Sequence, residues 1–146
     1  MEFKYERKIN YYETDKMGIV HHSNYIRFLE EARCRWMEHQ DFSMEKMEEI
    51  GITIPTLEIN CKYKYHVTSG DTIIITPKII EFNGVRMTIL YKMIDKKTGK
   101  EVIEAESKHC FTDKTLKPIN LKKNYEEVYI KFHDLVENDI KKFENQ

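Results

Sequence analysis

The chain has 146 residues, and its 24 Lys and Arg against 25 Asp and Glu leave a formal charge of −1. That length reads as one domain over residues 1–146; no net basic field argues for nucleic acid, and no acidic tail argues for a charged partner. A composition 40% hydrophobic and 34% charged is that of a globular, soluble chain and not of a disordered one. The opening residues, Met1 to Arg7, alternate charge with aromatics and hold no apolar leader. No run approaches the roughly 18 apolar residues of a membrane span. Cys34, Cys61 and Cys110 are odd in number and far apart, matching neither a zinc spacing nor a redox pair. Reduced thiols and a cytoplasmic location follow as the expectation.

In chain order, Phe3, Tyr5, Arg7, Ile9 and Tyr11 alternate with charged or polar residues, predicting a half-buried strand over 3–12. From about Ser23 to His39, Tyr25, Phe28, Leu29, Ala32 and Trp36 form one apolar helical stripe, with Arg27, Glu30, Glu31 and Glu38 on the other side. Ser23 or Asn24 can cap its start through a side-chain oxygen. A short helix over 43–50 would stop at Gly51. Leu57, Ile59, Cys61, Tyr63, Tyr65 and Val67 alternate cleanly with polar residues as a strand. After the Ser69-Gly70-Asp71 turn comes a β-branched strand over 72–82, with Pro77 marking an edge or bulge. Asn83-Gly84 is the strongest hairpin signal in the chain, leading into strands near 85–94 and 101–112 around a turn at 97–99. From about Lys122, the residues Tyr125, Val128, Tyr129, Phe132, Leu135, Val136, Ile140 and Phe143 recur at helical spacing. One strand, one long helix, four strands joined by short turns and a helical tail predict an α+β fold, a helix covering one antiparallel sheet.

The segment from Tyr12 to His22 carries the chemistry. Asp15 falls in a Gly-containing turn immediately before the long helix. A helix start offers unpaired N–H groups and partial positive charge, able to hold a developing oxyanion beside that carboxylate. By itself Asp15 could equally be a turn residue bonding local N–H groups. His21-His22 is a poor metal pair, because adjacent residues diverge and no third ligand stands at useful spacing. Tyr25 lies on the apolar stripe. Arg86, just after the Asn83-Gly84 turn, is a candidate for a phosphate, whereas Lys62, Lys64 and Lys108 sit on solvated strand faces. The absence of a G-x-S-x-G elbow argues against a serine hydrolase.

Tyr11-Tyr12-Glu13-Thr14-Asp15, Met17-Gly18-Ile19-Val20, His22-Ser23-Asn24-Tyr25, Phe28 and Glu31-Ala32-Arg33 together resemble the hot-dog acyl-CoA thioesterases of the 4-hydroxybenzoyl-CoA thioesterase and YbgC-like group. The likeness extends in element order over about residues 3–120. It implies a hot-dog fold, a long central helix wrapped by a five-stranded antiparallel sheet, here with an extra C-terminal helix over about 122–146. It also implies homodimers, which can pair into tetramers, with each active site at a dimer interface. The implied reaction is hydrolysis of an acyl-CoA thioester to a free acid and CoA, with no metal or organic cofactor. Asp15 aligns with the family's general base or nucleophile. His22 aligns with the residue at the start of the central helix whose backbone N–H polarises the thioester carbonyl. Tyr12, Met17, Gly18, Ile19, Tyr25 and Arg86 are the substrate-binding candidates. Some relatives place the carboxylate on the central helix, where Glu30 or Glu31 stands here, but the intact turn favours Asp15. The hydratase signature of this fold is absent. An acyl carrier protein thioesterase and a non-catalytic acyl-binding or scaffold protein are the alternatives.

Overall fold

The computed structural model describes residues 2–144, with the side chains at 137 and 140–144 outside the description. The predicted tail positions Ile140 and Phe143 are among those side chains. In chain order the elements are β1 (Tyr5–Lys8), α1 (His22–His39), α2 (Met44–Ile50), β2 (Thr56–Tyr63), β3 (Thr72–Phe82), β4 (Arg86–Asp95), β5 (Glu101–Cys110), α3 (Leu121–Asn124) and α4 (Glu126–Glu144). The strands form one five-stranded antiparallel sheet in the order β1-β3-β4-β5-β2, the α+β hot-dog arrangement. No helix among the described residues is long and apolar enough to cross a membrane.

The chain divides into two compact units. One comprises the chain up to Ser43 with Cys61–Pro77 and Tyr91–Ala105; the other comprises Met44–Asn60, Lys78–Leu90 and the chain from Glu106.

In the first unit β1 pairs antiparallel with β3, from Tyr5 opposite Ile75 to Lys8 opposite Thr72. The predicted strand over 3–12 is thus much shorter. Asn10 ends it, because its N–H donates to the Glu13 carboxylate at 2.9 Å and closes a 3₁₀ turn over Tyr11–Glu13. Local side-chain acceptors of this kind compete with a sheet ladder. The helix α1 buries the predicted stripe, Tyr25, Phe28, Leu29, Ala32 and Trp36, and adds Met37. Its cap differs from expectation. His21 stands at the N-cap in extended conformation, and its Nδ1 accepts from the Ser23 N–H at 3.2 Å. Asn24 lies inside the first turn, and its side-chain amide donates to the Glu13 carbonyl.

In the second unit α4 supplies Tyr129 and Phe132 to an aromatic cluster with Phe82 and Phe111. The Phe82 and Phe132 rings stack at 5.4 Å, and Phe111 and Phe132 lie 5.7 Å apart. The tail therefore packs on its own chain. β1 stops pairing with β3 at Ile75, and further along β3 Asp139 of α4 accepts the Ile79 N–H at 3.0 Å. A sheet edge left bare would be a template for association, and a carboxylate from a covering helix blunts it. At the Asn83-Gly84 hairpin, Asn83 Oδ1 accepts from the N–H groups of Val85 and Arg86 at 2.9 and 2.8 Å.

β2 departs most from its sequence pattern. It ends at Tyr63, not Val67, and none of its residues is fully buried. Its place at the end of the sheet order explains this, since an edge strand has a neighbour on one side only. Leu57 is 49% and Tyr63 51% exposed.

Candidate active site

Asp15 sits where the chain crosses back on itself. Its N–H donates to the Ile19 carbonyl at 2.8 Å, Thr14 bridges to Val20, and the Gly18 N–H returns to the Asp15 carbonyl at 3.0 Å. Gly18 closes the turn at φ +82, a conformation that L side chains rarely adopt. One carboxylate oxygen of Asp15 accepts the Met17 N–H at 2.8 Å. That bond fixes the plane of the carboxylate, and the group is part-buried and not sealed. The far limb of the turn is pinned to the segment after β2, with the Val20 N–H donating to Val67 at 3.0 Å and Ile19 bridging to Thr68.

His22 opens α1 immediately after this arch. As the first helical residue its N–H has no intrahelical acceptor, and none lies among the described residues. Its exposed ring stacks on His21 at 4.3 Å and meets the Tyr63 ring edge-on at 6.3 Å. The Tyr63 hydroxyl donates to the His22 carbonyl at 3.2 Å, tying the end of β2 to the helix start.

Two ties hold the arch against that helix, and both end on Glu13. Its carbonyl accepts the His21 N–H at 2.9 Å and the Asn24 side-chain amide at 2.8 Å. Its carboxylate receives Nη1 and Nη2 of Arg7, each at 2.6 Å, and the Asn10 N–H. Arg7 also donates through Nε to Glu31 at 2.7 Å and lies over the Phe28 ring, 4.1 Å from its centroid. Burial opposes ionisation of Glu13, but the Arg7 guanidinium and the Asn10 N–H outweigh it and hold the carboxyl below its usual range. Glu31 also accepts from the Tyr5 hydroxyl at 2.9 Å, so this helix carboxylate is engaged in the ion-pair network. Glu30 is exposed on the helix surface, 4.0 Å from Arg33.

Asp15 and His22 line one cavity of about 280 Å³ with Met17, Ile19 and Tyr25. Tyr25 is nearly fully buried, and burial pushes its hydroxyl up to about 12, with Cys61, Tyr63 and Asp15 adding to the shift and the Val67 backbone opposing it. It stays a neutral donor across the physiological range. Gly18 shapes the turn without lining the cavity. Tyr12 is 80% exposed, its hydroxyl accepting from the Asn10 amide at 3.1 Å, and it does not line the cavity either. Arg86 belongs to the other unit, where it begins β4 as an exposed residue.

The opposite wall was not read from sequence. Tyr63, Lys64, Tyr65 and His66 complete the cavity. Tyr65 stacks on His66 at 4.9 Å, and Lys100 lies 4.2 Å above the Tyr65 ring. Lys64 is held between Glu101 and Glu104 at 3.4 and 3.2 Å. The density of aromatic residues at the end of the alternating segment was the available signal, but strict alternation assigned Tyr63 and Tyr65 to a buried face.

A carboxylate at a glycine turn and the first residue of the long helix thus line one cavity beside a five-stranded hot-dog sheet. The chain belongs to the thioesterase-like superfamily, whose model matches residues 9–132. It is 33% identical to YneP of Bacillus subtilis (strain 168) over 123 residues, 84% of this chain and 88% of that one. It is 25% identical to the acyl-CoA thioesterase YbgC of Haemophilus influenzae over 137 residues, 91% of this chain and 96% of the relative. The crystal structure of DHNA-CoA thioesterase from Staphylococcus aureus superposes with a TM-score of 0.84 at 25% identity, covering 90% of this chain and 88% of that one.

Proposed function

We propose that the protein hydrolyses an acyl-CoA thioester to a free carboxylic acid and CoA, with Asp15 and the His22 N–H as its working groups. The observation that carries this reading is the convergence of the Asp15 carboxylate and the first residue of α1 on one cavity. With the thioester carbonyl against the His22 N–H, the carbonyl oxygen takes up negative charge where a helix N-terminus favours it. As general base, Asp15 takes a proton from water, and the resulting hydroxide oxygen bonds to the acyl carbon. The tetrahedral intermediate then collapses, the C–S bond breaks, and the thiolate leaves with the electron pair. As nucleophile, Asp15 itself forms the new C–O bond and expels the thiolate, and water then cleaves the mixed anhydride. Either route suits a thioester, because a thiol with pKa near 8.5 needs little help to leave. For that reason the proposed chemistry requires no metal or organic cofactor.

The same reading assigns Tyr25, Met17 and Ile19 to the acyl group. Arg86 and Tyr12 are proposed to meet the CoA portion, in an assembly where a second copy completes the site. Support for a homodimer, and for a tetramer built from it, comes from β2, an edge strand that exposes Leu57 and Tyr63. A cytoplasmic location is proposed on the free thiols of Cys34, Cys61 and Cys110.

Thiol release from short, medium, long and aromatic acyl-CoAs, run beside the same acyl groups on a carrier protein, tests the reading. Turnover of at least one CoA ester supports it. Turnover of carrier-bound esters alone transfers the activity to a carrier-protein thioesterase, and binding without turnover of either leaves an acyl-binding protein.

A further inference from the structure

We infer that Glu13, gripped by Arg7 and joined to Asn24, is a positioning residue that sets Asp15 against the His22 N–H. This inference rests on the assignment of those two groups proposed above. Neither group is fixed by the other. Asp15 lies on an arch whose internal bonds hold its own shape, and His22 lies on a separate helix. The peptide of Glu13, two residues before Asp15, bonds the arch directly to the helix start. Its carbonyl accepts from His21 and Asn24, the residues on either side of the helix start.

A carbonyl can hold two donors steadily only if its own residue cannot rotate. Glu13 is immobilised from the side-chain end, being 5% exposed, with both carboxylate oxygens on Arg7 and a third bond from Asn10. Arg7 in turn is anchored on β1, on Glu31 of α1 and on the Phe28 face. A planar guanidinium with five fixed donors suits this role where a lysine would not. Strand, arch and helix thus meet at one part-buried ion pair, and neither of its residues lines the cavity. Displacing a catalytic group by about 1 Å typically costs about 10²-fold in rate, so such a tie acts on turnover and not on substrate affinity.

The test is a double-mutant cycle with Asn24→Ala and Asp15→Asn, reading kcat and KM for the best thioester of the panel. Asn24→Ala removes only the amide donated to the Glu13 carbonyl. It is expected to lower kcat about 10- to 100-fold with KM within about twofold, and to cost less than about threefold when Asp15 is already Asn. Glu13→Gln, which keeps an oxygen for Asn10 but weakens the Arg7 grip, is expected to move kcat in the same direction and serves if Asn24→Ala does not fold. Independent, multiplicative losses in the cycle would overturn the positioning role, as would an unchanged kcat in both single variants. Wild-type turnover in Asp15→Asn alone would instead remove the underlying assignment, and this inference with it.

Discussion

Arg7 holds Glu13 by two parallel N–H···O contacts of 2.6 Å, six residues apart in the chain, with side-chain exposures of 15% and 7%. Enclosed bidentate pairs are stronger than surface ones, where a pair contributes about 0–1 kcal/mol. The geometry makes this pair a stability determinant with a definite pH signature. The folded carboxyl of Glu13 is held below its ordinary value of 4.5. Its stabilisation is therefore complete above about pH 4.5 and lost as pH falls through the lower folded value.

Replacing Glu13 by Gln is expected to cost about 1.5–3 kcal/mol at pH 7, the range for a hydrogen bond to a charged group. The gap to wild type should narrow as pH falls below about 4.5, through the lowered folded value of the wild-type carboxyl. Thermal unfolding followed by circular dichroism at pH 7, 5 and 3 checks this, and a gap independent of pH would contradict it.

Two glycines separate backbone strain from crowding. Gly18 and Gly84 both have positive φ, +82 and +88. A Cβ on Gly18 meets nothing within 4 Å, whereas one on Gly84 comes 3.1 Å from Asn120 Oδ1 and 3.2 Å from the Tyr129 ring. Gly18→Ala should cost about 1–2 kcal/mol from conformation alone, and Gly18→Asn less, since Asn tolerates this region. Gly84→Ala adds roughly 1–3 kcal/mol of overpacking and displaces the Asn120 oxygen that caps α3. Denaturant midpoints of the three variants should rank Gly18→Asn, Gly18→Ala, Gly84→Ala in falling order.

The C-terminal helix is expected to be a structural requirement of its unit. Phe132 is 1% exposed and stacks with Phe82. Phe132→Ala should destabilise by about 3–5 kcal/mol, the usual cost of emptying such a site. Urea unfolding gives the value, and a loss under about 1 kcal/mol would show that the cluster closes over the gap.

Tyr63 makes two separable contributions. Its ring forms cavity wall, and its hydroxyl donates to the His22 carbonyl. An aromatic contact contributes about 0.5–1.5 kcal/mol, so Tyr63→Ala should raise KM roughly two- to twelvefold. Tyr63→Phe keeps the ring and should leave KM within about twofold. Steady-state kinetics on the two variants distinguishes wall from tether, since equal KM effects would place the contribution in the hydroxyl.

The long helix was legible because its stripe from Tyr25 to Trp36 reports burial directly, and the turn at Asn83-Gly84 because few residues accept that backbone. The arch at Asp15 was legible from its glycine and its place before the helix. Its support was not. Arg7 looked like one more member of an alternating strand, and nothing local reveals that it turns inward to a glutamate six residues on and another on the helix. The cap failed for a related reason. Asn24 has the chemistry of a cap, but the helix starts at His22 with His21 at the N-cap, so Asn24 lies inside the first turn, where its amide donates to the Glu13 carbonyl eleven residues earlier. Likewise the period of β2 gave the alternation of Leu57 to Val67 without revealing that the strand would lie at a sheet edge. Periodicity reports a face, whereas its partner depends on chain topology.

The proposed role of Asp15 is to activate water or to attack the thioester carbon. Thiol release by Asp15→Asn, compared with wild type on the preferred acyl-CoA at equal folded concentration, tests it most directly. A fall in kcat of at least about 10²-fold is expected, with the circular dichroism spectrum and assembly state unchanged. Turnover at the wild-type rate by the folded variant would contradict it.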